Sequence, residues 1–347
     1  MTVQVGDLTS FANSTYNRIA KERGLWQDIA HTSQNFHVMS RLLKEKSVTY
    51  KSGKAIEWYL TEIYNESPKA VGLMEPDTLN MARGSTRAEI PWMHMTGNLT
   101  VEEHLTQMNS ESPERVYDEM LMNRHHLLGG WAEYLETVFC QDTPNDSKTP
   151  FSLLYWVVKY NNSGVFGFDG GNPTNFSSGA GGLTVAAHPN TKNAAYAYSA
   201  VTDDDLISGL EQMFDKTVFK SPARYDSLVD EKTRRELLTN YAALQAYRSF
   251  LKTMGDGSRR DAGDVDEVVF RKIPLVWMSE LDADTTNPYY MVDWSSLQFA
   301  VLKNFFLKEG AFKEVSGYHN VRAMFMDLSL NLMCYDRRRN GVAYNPA

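Results

Sequence analysis

Val321-Arg-Ala-Met-Phe-Met-Asp-Leu-Ser-Leu-Asn-Leu-Met-Cys-Tyr335 alternates along its whole length. Arg322, Met324, Met326, Leu328, Leu330, Leu332 and Cys334 fall on one side. Val321, Ala323, Phe325, Asp327, Ser329, Asn331, Met333 and Tyr335 fall on the other. Successive side chains leave opposite faces of a strand, so a period of two predicts one strand across the stretch. The first side is apolar from Met324 onward, and the second is polar at Asp327, Ser329 and Asn331. That predicts a sheet with one covered face and one wetter face. At about 3.4 Å per residue the strand reaches roughly 45–50 Å, whereas an ordinary strand has about 5–6 residues. Such a length suits a chain that must reach across something.

The flanks are patterned too. Asn304 to Glu314 predicts an antiparallel partner, joined by a loop through Ser316-Gly317. Upstream, Pro288 biases Asn287 to an extended conformation, and Tyr289 to Trp294 predicts a short apolar strand.

These residues carry a resemblance. "LDAD…NPYYMVDW" (281–294) followed by "HNVRAMFMDLSLNLMCYDRRRNGVAY" (319–344) resembles the C-terminal end of a tailed-bacteriophage major capsid protein with the Hong Kong 97-type fold. Thr149 to Lys159 with Gly167-Phe-Asp-Gly-Gly-Asn-Pro173 is similar to the middle of that family, and Gly53-Lys-Ala-Ile-Glu-Trp58 to its N-terminal part. The three stretches cover most of the chain in the family's order. The resemblance implies an α+β, Hong Kong 97-like capsid fold. Its parts would be an N-terminal arm (1–45), an extended hairpin loop (46–100), a peripheral domain with a long spine helix and the β-ribbon (101–160 and 303–335), and an axial α+β domain (161–302 and 336–347). The function implied is that of a major capsid protein, forming hexamers and pentamers that build an icosahedral head around double-stranded DNA without sequence-specific binding. A scaffolding protein, a portal and a decoration protein outside are the partners implied, the virion is the location, and assembly takes place in the host cytoplasm. Subunit-interface candidates are Trp58, Tyr64, Pro76, Arg83, Arg87, Trp92, Arg259, Arg260, Arg337, Arg338 and Arg339.

The 347 residues are 42% hydrophobic and 22% charged, a globular composition with material for one large core or two modest ones. The formal charge is −8. A protein that grips DNA through its phosphates carries a basic surface instead. Cys140 and Cys334 stand far apart in apolar patterns, which predicts buried free thiols. Met1 to Gly6 has neither a positive n-region nor an apolar h-region, so no targeting segment is expected, and no apolar run reaches membrane-spanning length.

Residues 1–45 show weak amphipathic patterning, with Gly24 as a break. Ser47 to Tyr64 and Arg87 to Leu99 alternate as two strands around a Gly/Pro-punctuated tip. A two-stranded ribbon is marginal in water by itself, so it must lie on its own domain or on another chain. Residues 112–141 predict the clearest helix. Ser112 suits the N-cap, Pro113 the first position and Glu114 the positive end of the dipole. Gly129-Gly130 in its interior predicts a bend or a close backbone contact. His125 and His126 point about 100° apart on a helix and do not share one ion.

Phe151 to Lys159 predicts an apolar strand, followed by a glycine-rich run from Gly164 to Gly182. That run has no Gly-x-Gly-x-x-Gly order and no Gly-Lys-Ser/Thr, so it predicts a surface loop. Thr202 predicts a helix cap before Asp203-Asp-Asp205, with the helix ending near Lys216. Asp230 to Met254 predicts a second long helix, and Glu267 to Ser279 a strand interrupted at Pro274. The resemblance puts the 254–266 loop at the capsomer axis.

Arg337-Arg338-Arg339 suits packaged DNA or acids on a neighbouring subunit, and the net charge favours the second. Asp282, Asp284 and Asn287 lack the pattern of a dedicated calcium loop. No cofactor or metal is implied, and no catalytic motif is present. A structural shell protein is therefore expected, not an enzyme. Two alternatives remain: an encapsulin-like compartment, and a cytoplasmic α+β enzyme using the 164–182 loop.

Overall fold

The computed structural model describes residues 36–42, 48–62, 70, 84–102, 113–146, 148–160, 164–219, 235–253, 268–318 and 320–346. Most of the expected arm, most of the hairpin tip, the Ser112 cap and the 254–266 loop lie outside these residues. The strands in chain order are β1 Val48–Lys51, β2 Ile56–Thr61, β3 Ser85–Ile90, β4 Met93–Glu102, β5 Ala194–Ala197, β6 Arg235–Thr239, β7 Val269–Phe270, β8 Ile273–Trp277, β9 Tyr289–Asp293, β10 Leu297–Leu302, β11 Lys308–Glu309, β12 Lys313–Glu314, β13 Val321–Cys334 and β14 Gly341–Tyr344. The helices are α1 His37–Leu42, α2 Pro113–Cys140, α3 Leu153–Trp156, α4 Ser208–Lys216 and α5 Tyr241–Thr253.

The alternating stretch is one continuous strand, β13, and the first sheet is built on it. One edge pairs antiparallel with β4, from Val321 opposite Glu102 to Leu330 opposite Met93. The other edge takes β10 at the C-terminal end, then β11 and β12 toward the N-terminal end, all antiparallel. β1 adds in parallel to β10. The expected partner at 304–314 is thus two short strands, not one. Leu307 turns with φ 45° ahead of β11, and between the two strands Gly310 donates its N–H to Phe325 at 2.8 Å.

Met324, Met326, Leu328, Leu330, Leu332 and Cys334 are all buried, as their side of the period requires. The other face departs from expectation. It is open at Phe325 and closed from Ser329 onward. Residues 91 and 151 lie against it: Asn331 Nδ2 donates to the Pro91 carbonyl at 2.9 Å, and Asn331 Oδ1 accepts from Phe151 N–H at 2.8 Å. The polar side chains there are internal linkers and do not form a wet surface.

Helix α2 forms as its apolar spacing dictates and packs Trp131, Leu135 and Phe139 into the core. Its contact with the sheet is close: a Cβ at Gly97 of β4 would lie 2.9 Å from both Leu127 Cδ1 and Trp131 Nε1. Gly129 and Gly130 make no such contact, since nothing lies within 4 Å of a Cβ added to either. His125 and His126 are exposed on this helix.

The second sheet has the order β5-β14-β9-β6-β8-β7. Its central strands are buried on both faces. Tyr290 and Val292 of β9 join the core shared with α2 and the first sheet, while Tyr289 and Met291 join a second core under α4 and α5.

Four sequence expectations are corrected here. The helix expected over 230–254 has a strand, β6, across 235–239. Leu237 and Leu238 enter different cores there, as only a strand permits. The helix starts after Asn240, whose side chain accepts from Ala243 N–H at 2.8 Å as its cap. The apolar run 151–159 carries a helical turn, α3, capped by Ser152 accepting from Tyr155 N–H. The strand over 267–279 breaks at Arg271-Lys272, which have φ 46° and 70°, while Pro274 sits inside β8. Thr202 makes no side-chain cap, and the following turn is a π-helical Asp203–Ile207 leading into α4. No helix among the described residues is long and apolar enough to cross a membrane.

Candidate subunit interface

Of the candidate residues, Tyr64, Pro76, Arg83, Arg259 and Arg260 lie outside the described ones. The other six divide by burial. Strands β2 and β3 pair antiparallel, with Ile56 opposite Ile90 and Thr61 opposite Ser85. Their inner face buries Ile56, Trp58, Ala88 and Ile90. Their outer face shows Glu57, Tyr59, Arg87 and Glu89. Arg87 bonds Glu57 at 2.8 Å and Glu89 at 2.5 Å, so three charges are held in one exposed patch. Tyr59 beside them is 73% exposed.

Trp58 turns inward. Its ring lies 6.1 Å from Trp156 and 6.4 Å, edge-on, from Tyr335 at the end of β13. Trp92, buried after β3, donates its indole N–H to the Gly53 carbonyl at 3.0 Å. Both tryptophans are therefore spent within the chain, fixing the hairpin base to its own sheet.

The three arginines also bind their own chain. Arg337 is buried. Its Nε donates to Trp156 O at 2.8 Å, and its Nη2 to Gly171 O and Asn193 Oδ1 at 3.1 Å each. Burial lowers its pKa to about 10. Arg338 pairs with Asp336 at 3.1 Å and stacks on Phe219 at 4.4 Å. Arg339 donates to Phe219 O at 2.6 Å and approaches Asp293 at 3.4 Å. Arg337 staples the α3 turn, the glycine-rich segment and Asn193 together. Arg338 and Arg339 keep part of their surface.

A second tie at the hairpin base joins Glu62, after β2, to His188 Nδ1 at 2.7 Å and to Thr86 at 3.3 Å. No period or motif marks this tie in the sequence, because His188 is remote in the chain. The outer row Glu57, Arg87 and Glu89 was readable from the alternation of its two strands.

The thiols of Cys140 and Cys334 are free and buried, and burial pushes both pKa values up, so neither is poised as a nucleophile. Asp282 and Asp284 serve their own loops: Asp282 accepts from Tyr241 N–H at 2.6 Å, and Asp284 pairs with Lys159. Among the described residues no group of three or more His, Cys, Asp or Glu is placed to hold a metal ion.

No family model matches the sequence, and no curated protein matches it. Solved structures do. The chain is similar to one in the cyanophage A-1(L) capsid asymmetric unit, with 13% identity, TM-score 0.55, and 86% and 89% of the two chains covered. It is similar to a chain of Mycobacterium phage Bobi, with 12% identity, TM-score 0.51 and 100% of both chains covered. It is also similar to a chain of the holo-SrpI encapsulin complex from Synechococcus elongatus PCC 7942, with 11% identity, TM-score 0.50 and 92% of both covered. The fold is the mixed α+β, Hong Kong 97-type capsid fold.

Proposed function

We propose that this chain is a major capsid protein, the repeating subunit of a tailed-phage head, located in the virion. The observation that supports this most directly is the agreement of fold with a cyanophage capsid chain over 86% of this chain. The form of the chain agrees: a strand of fourteen residues, a helix of 28 and a hairpin whose outer face stays open are elements that gain from lying against other copies. In this reading residues 1–45 are an arm, 46–100 the extended hairpin, 101–160 with 303–335 the peripheral domain, and 161–302 with 336–347 the axial domain. Copies join as hexamers and pentamers. Tyr59, Arg87 and the exposed parts of Arg338 and Arg339 are the described residues on offer to a neighbour, with Tyr64, Pro76, Arg83, Arg259 and Arg260 as further contacts. Trp58, Trp92 and Arg337 position these parts from within. The shell encloses double-stranded DNA without reading it, is laid down in the host cytoplasm with a scaffolding protein and a portal, and has no catalytic task.

The encapsulin match supports a second reading, a protein compartment that encloses a protein cargo. Electron microscopy of the purified chain, alone and co-expressed with its neighbouring genes, tests both. Closed shells or rings of five and six are expected, and DNA inside them separates a phage head from a compartment. Only small particles in both preparations would overturn the shell reading.

A further inference from the structure

Several sheet edges in this molecule are shielded. β11 and β12 are two residues each and charged, Lys308-Glu309 and Lys313-Glu314. β5 is flanked by residues 164–167, with Gly164 N–H on Ala197 O at 3.0 Å and Ala195 N–H on Gly167 O at 2.9 Å. β4 is different. It has ten residues, and from Met93 to Val101 it holds no Lys, Arg, Asp, Glu or Pro, the residues that keep an edge from pairing. Among the described residues β13 is the one strand that pairs with it.

The direction of its backbone groups follows from β13. Ser329 donates its N–H to Phe305 O, and Phe325 O accepts from Gly310 N–H, both on the side away from β4. In an antiparallel ladder the N–H and C=O of one residue point to the same edge, and successive residues alternate. The odd-numbered residues of β13 therefore face β10 and β11, and the even-numbered ones bond β4. Met324 lies opposite Leu99, Met326 opposite Gly97 and Leu328 opposite Met95. The odd-numbered residues of β4 thus complete those bonds. The N–H and C=O of His94, Thr96, Asn98 and Thr100 point outward, and no backbone bond to a described residue answers them. Their side chains are exposed as well.

The hairpin offers a matching edge. Glu62 N–H bonds Gly84 O across it, so Ile56, Trp58 and Leu60 turn their backbone groups to β3. Those of Glu57, Tyr59 and Thr61 turn outward, and among the described residues β2 has no second strand beside it. Glu57 is paired with Arg87, and the facing stretch of β4 carries no fixed charge, so no like charges oppose each other. A long uncharged edge is a template for one more strand. Every copy of the chain carries both edges, and a contact between two different surfaces of identical chains repeats from copy to copy, forming rings where the rotation closes.

We propose that the outer edge of β4 receives strand β2 of a second copy, so that the first sheet continues across the contact. This rests on the shell reading and names the contact by which one subunit holds the next. Tyr59 is buried in the process.

The test uses the full chain, dilute and assembled, with hydrogen–deuterium exchange and sedimentation. Peptides covering 93–101 carry inward N–H groups already held by β13, so a change there on assembly reports the outward row. That row should exchange at least tenfold more slowly in the assembled chain, and so should peptides covering 57–61. Asn98→Pro removes one outward N–H and leaves the β13 ladder whole, a place where an edge strand tolerates proline. Tyr59→Pro does the same on β2. Each should melt within a few degrees of the parent when dilute and need at least tenfold more protein to assemble, while Asn98→Ala should assemble like the parent. An assembled parent whose 93–101 peptides exchange as fast as in the dilute chain overturns this contact and leaves the shell reading standing. So does a folded Asn98→Pro or Tyr59→Pro chain that assembles at the parent's concentration. A parent that stays monomeric at every concentration overturns both. If the proline variants do not fold, exchange on the parent decides alone.

Discussion

Asn331 shows how much one side chain holds here. It is fully buried, and it serves Phe151 N–H, Leu332 N–H and the Pro91 carbonyl at 2.8–2.9 Å. Asn331→Leu removes all three bonds and leaves backbone groups unanswered in the core. At about 1–3 kcal/mol for each buried group left unmade, the loss should be at least ~3 kcal/mol in chemical denaturation. Asp205 gives a pH dependence. Burial works to raise its pKa, but N–H donors at Ala200 and Ser199 and the Tyr196 hydroxyl outweigh it, so the net shift is down from 3.8. A carboxyl lowered on folding stabilises above its unfolded value and loses that contribution as pH falls through the folded one. Asp205→Asn should therefore lower Tm at neutral pH and approach the parent below pH 3.8, as thermal melts across the acid range will show. Neither role was legible in the sequence. Asn331 reads as one polar residue on a wet face, and only the packing of residue 151 on that face, 180 positions away in the chain, makes it internal.

Elements were legible where one physical signal dominated. β13 follows from a period of two held over fourteen residues, and α2 from a 3.6-residue stripe behind Pro113. The signal failed where two periods compete over a short span. Leu237-Leu238 fits a helix stripe as well as a strand buried on both faces, and β6 forms because β8 and β9 stand ready on either side. The run 151–159 is mostly apolar and has no period, so the Ser152 cap decides in favour of a helical turn. Glycine position separates close contact from slack. Gly97→Ala drives a methyl into Leu127 and Trp131 and should cost about 1–3 kcal/mol. Gly129→Ala and Gly130→Ala meet nothing within 4 Å and should each stabilise the helix by up to about 1 kcal/mol. Denaturation midpoints of the three variants check both signs.

At the scale of the whole molecule, the segment between β2 and β3 and the fold should be separable. Glu62 N–H bonds Gly84 O at 2.8 Å, which closes the base of β2–β3 beneath the tip. Replacing residues 63–83 by a short Asn-Gly turn should leave the melting temperature within a few degrees of the parent. The same change should abolish closed shells in electron micrographs. Shells that survive it would place the contacts between copies elsewhere.

The pairing of β13 has a mechanical consequence. Its ladder to β4 runs from Val321 to Leu330, and its ladder to β10 takes over at Leu330 and runs to Cys334. Tension applied along the strand is met by a row of bonds lying across the pull, which must slide together and cannot open one by one. The chain leaves β4 at Met93 only two residues beyond β3, so a tug on the hairpin enters that row directly. A wall woven from such subunits would answer internal pressure by stretching stiffly and then yielding all at once, not by unravelling strand by strand.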